Sequence, residues 1–231
     1  MCASLSQGAP DRIRLTGDAE AIAFLVDEAR ALLSRASGRV MLGLAGGPGV
    51  GKSTIAAAVT TRLNANDDGL AVVVPMDGFH MRQAKLDRLS LAKLKGSPQT
   101  FEPAAFAALL GKLKTATTSI GVPGYSRKIE DVVENAVVVP AEAQILVVEG
   151  NYLLLDKPGW SKIRRRLDRT ALVMIDRNVA RERLTSRRGE EGLFSPESTA
   201  WHVANVDLVN FDLVYRDSVA PDVLIEIDTH R

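Results

Sequence analysis

Apolar residues along this chain fall into two alternating patterns. From about Asp18 to Ala36, Ile22, Leu25, Val26, Ala29, Leu32 and Leu33 recur on one face at helical spacing, which predicts an amphipathic helix (18–36) ahead of the first strand. Short continuous apolar runs follow: RVMLGLA (39–45), LAVVVPMD (70–77), AQILVVEG (143–150), TALVMID (170–176) and APDVLIEI (220–227). Runs of strand length that do not alternate with polar residues suit a parallel sheet buried on both faces. Helices are expected between them, near 54–64, 103–114, 158–168, 178–188 and 196–209. This alternation predicts an α/β fold with right-handed crossovers, whose ligands bind beyond the carboxyl ends of the strands. Residues 118–142 break the rhythm and predict a ribbon-like insertion rising from the sheet. No internal repeat or low-complexity linker interrupts the chain, so residues 1–231 read as one domain.

Between the first strand and its helix lies GLAGGPGVGKST (43–54), poor material for either helix or strand because Gly loses the most backbone entropy on ordering. Gly46, Gly51, Lys52 and Ser53 fill the pattern G-x-x-x-x-G-K-[ST]. Glycines let successive N–H groups point at an anion, and the following helix adds its dipole and unpaired donors. Gly46, Gly47, Pro48, Gly49, Val50, Gly51, Lys52, Ser53 and Thr54 are therefore the candidate cradle for the phosphates of ATP, with Lys52 reaching the β- and γ-phosphates and the Ser53 hydroxyl holding Mg²⁺. A merely flexible glycine turn has the same composition. The strand before it and the Ala-rich helical stretch after it favour the phosphate loop.

Composition narrows the classes further. The chain has 231 residues, 46% hydrophobic and 25% charged, enough to bury a sizeable core. A net charge of +1 gives no basic surface for nucleic acid or acidic membranes. The run Arg164–Arg165–Arg166 reads as the solvated face of a helix. One cysteine, Cys2, precludes a disulfide framework, and neither a membrane-length apolar run nor a signal segment stands out. The expectation is a reduced, cytoplasmic protein without membrane insertion.

Two apolar strands end in an acid followed by glycine: Asp77 in VVVPMDGFH and Glu149 in ILVVEGN. Such acids are often only turn residues. Beside a phosphate loop they have two further uses, holding the Mg²⁺ shell or accepting the proton of an attacking hydroxyl. DRNVARERLTSRRGEEG places Arg177, Arg181, Arg183, Arg187 and Arg188 on one helix and the turn after it, with Arg183 and Arg187 sharing a face. They form either a solvated face paired with Glu182, Glu190 and Glu191, or a lid (183–196) whose guanidinium groups close over the phosphates. The GEEGLFSPES loop favours the lid.

GGPGVGKST, MDGFH, GSPQTFEPAAF, PGYSRKIED, VVEGNYLLLD, RLTSRR and DLVN occur in an order that resembles the uridine kinase, phosphoribulokinase and pantothenate kinase family of P-loop kinases, and most of all its bacterial fructose transport system kinases. The resemblance spans about residues 38–228. It implies a three-layer α/β/α P-loop NTPase fold with a five-stranded parallel sheet in the order 2-3-1-4-5, and ATP and Mg²⁺ as cofactors. By the same resemblance Asp77 is the general base, Glu149 stands near the metal, Arg183 and Arg187 are the lid arginines, and residues 96–102 with Tyr125 and Arg127 line the acceptor pocket. Relatives often carry an acid where this chain has Ser126, and its loss removes a contact to the acceptor or to a basic side chain. His80, close behind Asp77, reads as a pocket or packing residue and not as a metal ligand. The expected activity is phosphoryl transfer to a hydroxyl of a small molecule, a sugar such as fructose, with pantothenate- and nucleoside-type acceptors as alternatives. A homodimer is allowed.

Two other classes have less support. A guanine-nucleotide metallochaperone would carry an [NT]-K-x-D segment and clustered Cys and His, whereas His80, His202 and His230 are scattered. A non-catalytic ATP-binding regulator of a transport system would retain Lys52 and lose an acid such as Asp77, yet both acids are present.

Overall fold

A computed structural model describes residues 10–191 and 195–229. Cys2, His230 and residues 192–194 of the expected lid lie outside the described residues. Eight strands are present among those described: β1 (Asp11–Thr16), β2 (Val40–Gly46), β3 (Ala71–Pro75), β4 (Ile120–Ser126), β5 (Asp131–Val139), β6 (Ile145–Gly150), β7 (Arg169–Met174) and β8 (Val223–Asp228). The helices are α1 (Gly17–Ser34), α2 (Lys52–Asn64), α3 (Gln83–Arg88), α4 (Pro103–Thr115), α5 (Ser161–Arg164), α6 (Arg177–Glu191), α7 (Pro196–His202) and α8 (Leu208–Asp217).

Six strands form one parallel sheet in the order β1-β8-β7-β2-β6-β3. Read from β3, the five expected strands stand in the expected order, and β1 adds a sixth at the edge beside β8. The sequence DRIRLT hides this strand because its apolar residues alternate with charges. Arg12 and Arg14 pair with Glu226 of β8, and charges of this kind suit an edge that faces solvent.

All seven residues of β2 are buried, so the strand running into the phosphate loop is also the middle of the core. Its alternate residues serve two cores. Val40, Leu42 and Leu44 pack with Leu25 of α1 and Ile55, Val59 and Leu63 of α2 on one face. Met41 and Ala45 pack with Phe106, Leu110 and Leu113 of α4, Ile163 and Val214 on the other. This is the three-layer arrangement, and it explains why the strands read as continuous apolar runs.

Two helical expectations change. The stretch 158–168 holds only the four-residue α5, because Gly159 sits at φ +87° and the chain beyond Arg164 continues as turns. Arg164 is not part of a solvated face: its guanidinium donates to both oxygens of Asp222 at 3.0 Å, while Arg165 and Arg166 are exposed. The stretch expected to be helical over 196–209 continues to Asp217, through a single π-turn at Val203–Asp207. The insertion is an antiparallel ribbon of β4 and β5 with a register shift between Val122 and Gly124.

Candidate active site

The chain leaves β2 at Gly46 and turns into α2 through Gly49 (φ +81°) and Gly51 (φ +92°), left-handed conformations that favour glycine. Packing adds a second reason. A Cβ on Gly47 would lie 2.7 Å from the Phe211 ring, and one on Gly49 2.7 Å from the Ala180 carbonyl oxygen. The loop is thus pressed between α6 and α8. The Tyr215 hydroxyl accepts from the Gly47 N–H at 3.3 Å and donates to the Val173 carbonyl at 2.7 Å, tying the loop to α8 and β7. Ser53 and Thr54 open onto the cleft above.

Two acids face this loop from neighbouring strand ends. Glu149 in β6 is 4% exposed and accepts from the Ser53 hydroxyl at 3.1 Å. Burial first, then the nearby Asp77, push its carboxyl up to about 7, against the pull of Lys52, Ser53 and Arg127. Asp77 lies in the 3₁₀ turn Met76–Phe79 that ends β3. Burial pulls the Lys52 ammonium below the usual lysine range; Glu149 and Asp77 oppose this, and Arg187 and Arg127 add to it. Lys52, Asp77, Glu149, Arg127 and Arg187 therefore share one electrostatic field.

The donor set suits magnesium. Two carboxylates close together, one of them resisting ionisation, call for a cation, and Ser53 adds a hard hydroxyl oxygen. No group of three or more His, Cys, Asp and Glu capable of holding a metal exists among the described residues. Magnesium fits such a site, since it takes one or two carboxylates and completes its shell with water and substrate phosphates.

The arginines of α6 divide between two surroundings. Arg177 pairs with Asp212 at 2.8 Å on the outside, and Arg181 is exposed. Arg183, Arg187 and Arg188 line the cleft. Arg183 donates to the Val50 carbonyl at 3.3 Å, and Arg188 donates to Asp207 at 3.1 Å, an ion pair with both side chains largely buried. The solvated-face reading therefore describes only the first part of the helix.

Opposite the loop, the cleft of about 1040 Å³ is closed by aromatic and charged side chains. The His80 ring lies 3.9 Å from Phe101 and 4.8 Å from Tyr125, centre to centre. His80 Nδ1 is 2.8 Å from the Asp77 carbonyl, which can only accept, so Nδ1 carries the proton and Nε2 is left as an acceptor. Burial lowers the pKa of this imidazole and favours its neutral form. The Tyr125 hydroxyl donates to Glu130 at 3.0 Å, and burial raises its pKa well above the usual phenol range. Arg127 is exposed on the ribbon and reaches the cleft. Ser126 lies in a second recess of about 380 Å³ under the ribbon, which meets the main cleft at Ser53, Asp77, Tyr125 and Arg127.

Several contributors escaped the sequence reading. The Tyr152 hydroxyl (2.6 Å) and the Asn210 amide (3.3 Å) donate to the Gly96 carbonyl and clamp the segment that leads to Phe101. Tyr215 and Asp207 hold the loop and Arg188. Tyr152, Asp207 and Asn210 lie within VVEGNYLLLD and DLVN, motifs that carried the resemblance without a role for these three residues.

The sequence profile described as the phosphoribulokinase / uridine kinase family matches residues 41–191. A protein of Schizosaccharomyces pombe provisionally named uridine kinase C227.14 is 34% identical over 195 residues, which cover 81% of this chain and 83% of that protein. The pantothenate kinase of Leifsonia xyli subsp. xyli is 32% identical over 124 residues, 53% of this chain and 38% of that enzyme. Among solved structures, a provisionally named fructose transport system kinase from Silicibacter sp. TM1040 superposes with a TM-score of 0.79 at 31% identity, covering 88% of this chain and 98% of that one.

Proposed function

The chain belongs to the phosphoribulokinase / uridine kinase family, and from that premise we propose that it transfers the γ-phosphoryl group of ATP to a hydroxyl of a small molecule, a sugar such as fructose. One observation carries the reading. Lys52, Asp77, Arg183 and Arg187 come from three separate elements and line one cleft at the carboxyl ends of the strands, with Glu149 in the recess that adjoins it at Ser53 and Asp77. Phosphoryl transfer asks mainly for positioning and for stabilisation of charge, and these groups supply both. The acceptor hydroxyl oxygen bonds to the γ-phosphorus as the bond to the β,γ-bridging oxygen breaks, and the hydroxyl proton passes to the Asp77 carboxylate. Lys52 meets the transferring phosphate from the floor of the cleft, while Arg183 and Arg187 meet it from α6, acting as a lid. Ser53 and Glu149 would hold magnesium, which would supply positive charge to offset that of the phosphates. An enzyme that consumes ATP works where ATP is plentiful, which places it in the cytoplasm.

A second reading has its own support. His80, Phe101 and Tyr125 gather three rings at the acceptor side, which favours a flat-ringed acceptor of nucleoside type over a sugar. A coupled ADP-release screen over fructose and other sugars, nucleosides and pantothenate decides between them. Acceptor-dependent ADP release with one class identifies it. Bound ATP with no release on any acceptor would replace the kinase by a non-catalytic nucleotide-binding regulator.

A further inference from the structure

The nucleotide cleft has one wall built by residues outside the family match. β1 runs parallel to β8 with Thr16 opposite Asp228, so Thr16, Gly17 and Asp18 emerge at the same edge of the sheet as the phosphate loop. Gly17 (φ +74°) turns the chain at once from β1 into α1, and Asp18 in the first turn lines the cleft that Gly49 and Thr54 also line.

Asp18 has no local duty that would explain this position. The capping role at the start of α1 falls to Glu20, whose Oε2 accepts from the Thr16 N–H at 2.7 Å. Asp18 Oδ1 is buried and has no hydrogen-bond partner among the described residues. Buried polar atoms are nearly always paired, and an orphan acceptor on a residue that lines the cleft marks a place where a ligand supplies the partner.

The chemistry limits that ligand. A carboxylate only accepts hydrogen bonds and repels phosphate, so its partner is an O–H or N–H donor. With the phosphates on Gly46–Thr54, the remaining part of ATP is the nucleoside, whose donors are the ribose hydroxyls and the adenine amine. We propose that Asp18 reads the nucleoside of ATP, accepting a hydrogen bond from one of these donors and setting nucleotide specificity from a segment that the family profile does not include. This rests on the ATP-binding reading above.

Calorimetric titration of the full chain with Mg·ADP tests the assignment without knowledge of the acceptor. Asp18→Ala and Asp18→Asn are each compared with the unaltered protein, and inorganic tripolyphosphate serves as the nucleoside-free probe. Asp18→Ala should bind ADP about 10-fold more weakly, the scale of a hydrogen bond to a charged group, and Asp18→Asn, whose amide oxygen still accepts, by a smaller factor of about 3, with tripolyphosphate binding unchanged in both. If ribose is the partner, 2′- or 3′-deoxy-ADP binds the unaltered protein more weakly than ADP does, and the difference vanishes in Asp18→Ala. If the amine is the partner, it is the preference for ADP over GDP that vanishes. Unchanged ADP binding in both variants overturns the proposal. So does an equal loss for tripolyphosphate, or a loss that couples to neither the ribose nor the base. An unaltered protein that binds no ADP overturns the ATP-binding reading and takes this assignment with it.

Discussion

The phosphate-loop wall of the cleft is contiguous in sequence, while the wall opposite it is gathered from distant segments. Residues 46–54 supply the loop, its glycines fitting closely against Phe211 and Ala180 and its backbone held by Tyr215. The opposite wall takes His80 from the turn after β3, Phe101 from a 3₁₀ connection, and Tyr125 and Glu130 from the ribbon. Tyr152 and Asn210 hold it from behind. One half recognises an anion through backbone groups and so demands a fixed local sequence. The other recognises through side chains, and the same scaffold can hold many different sets of them.

Breaking the phosphate-loop half should have the largest effect. Lys52→Ala removes the point charge from the transferring phosphate and should lower kcat by about 10³-fold with a native far-UV circular dichroism spectrum. Wild-type turnover in that variant would deny the loop its role. Next comes the contact that joins the halves. A Cβ on Gly78 would lie 1.9 Å from the Pro123 carbonyl oxygen, so Gly78→Ala should force the ribbon off the Asp77 turn and cost ~3 kcal/mol, read by urea denaturation. Arg187→Ala should lower kcat by about 10²-fold and weaken ATP binding much less, since a closing lid acts mainly in the transition state. Equal loss in affinity with no loss in kcat would make Arg187 a static binding residue. Tyr125→Phe, which removes the hydroxyl bonded to Glu130, should raise KM for the acceptor by about 2- to 10-fold and leave KM for ATP unchanged.

The same contrast explains what could be read from the sequence. Five of the six strands were legible because apolar runs of strand length suit a buried parallel sheet, while their order was supplied by the resemblance to the family. β1 was not, since an edge strand carrying Arg12 and Arg14 looks like a solvated tail. The phosphate loop and both acids announced themselves through glycine and strand ends. Arg164 did not: its partner Asp222 is 58 residues away, and only the fold makes them neighbours. The rings at positions 80, 101 and 125 are scattered in the same way, and only the resemblance to the family had drawn His80, residues 96–102 and Tyr125 together. Local conformational demands leave a signature in the sequence, and contacts made by tertiary packing leave far less.

The account turns on Asp77 standing between the two halves as the base. The most direct test is single-turnover transfer from Mg·ATP to the acceptor found in the screen, comparing the unaltered enzyme with Asp77→Asn. The amide keeps the shape of the side chain and most of its hydrogen bonds but cannot take the proton. The account predicts ATP binding within about twofold of normal and a transfer rate lower by about 10²–10⁴-fold. Near-normal transfer by Asp77→Asn would contradict it.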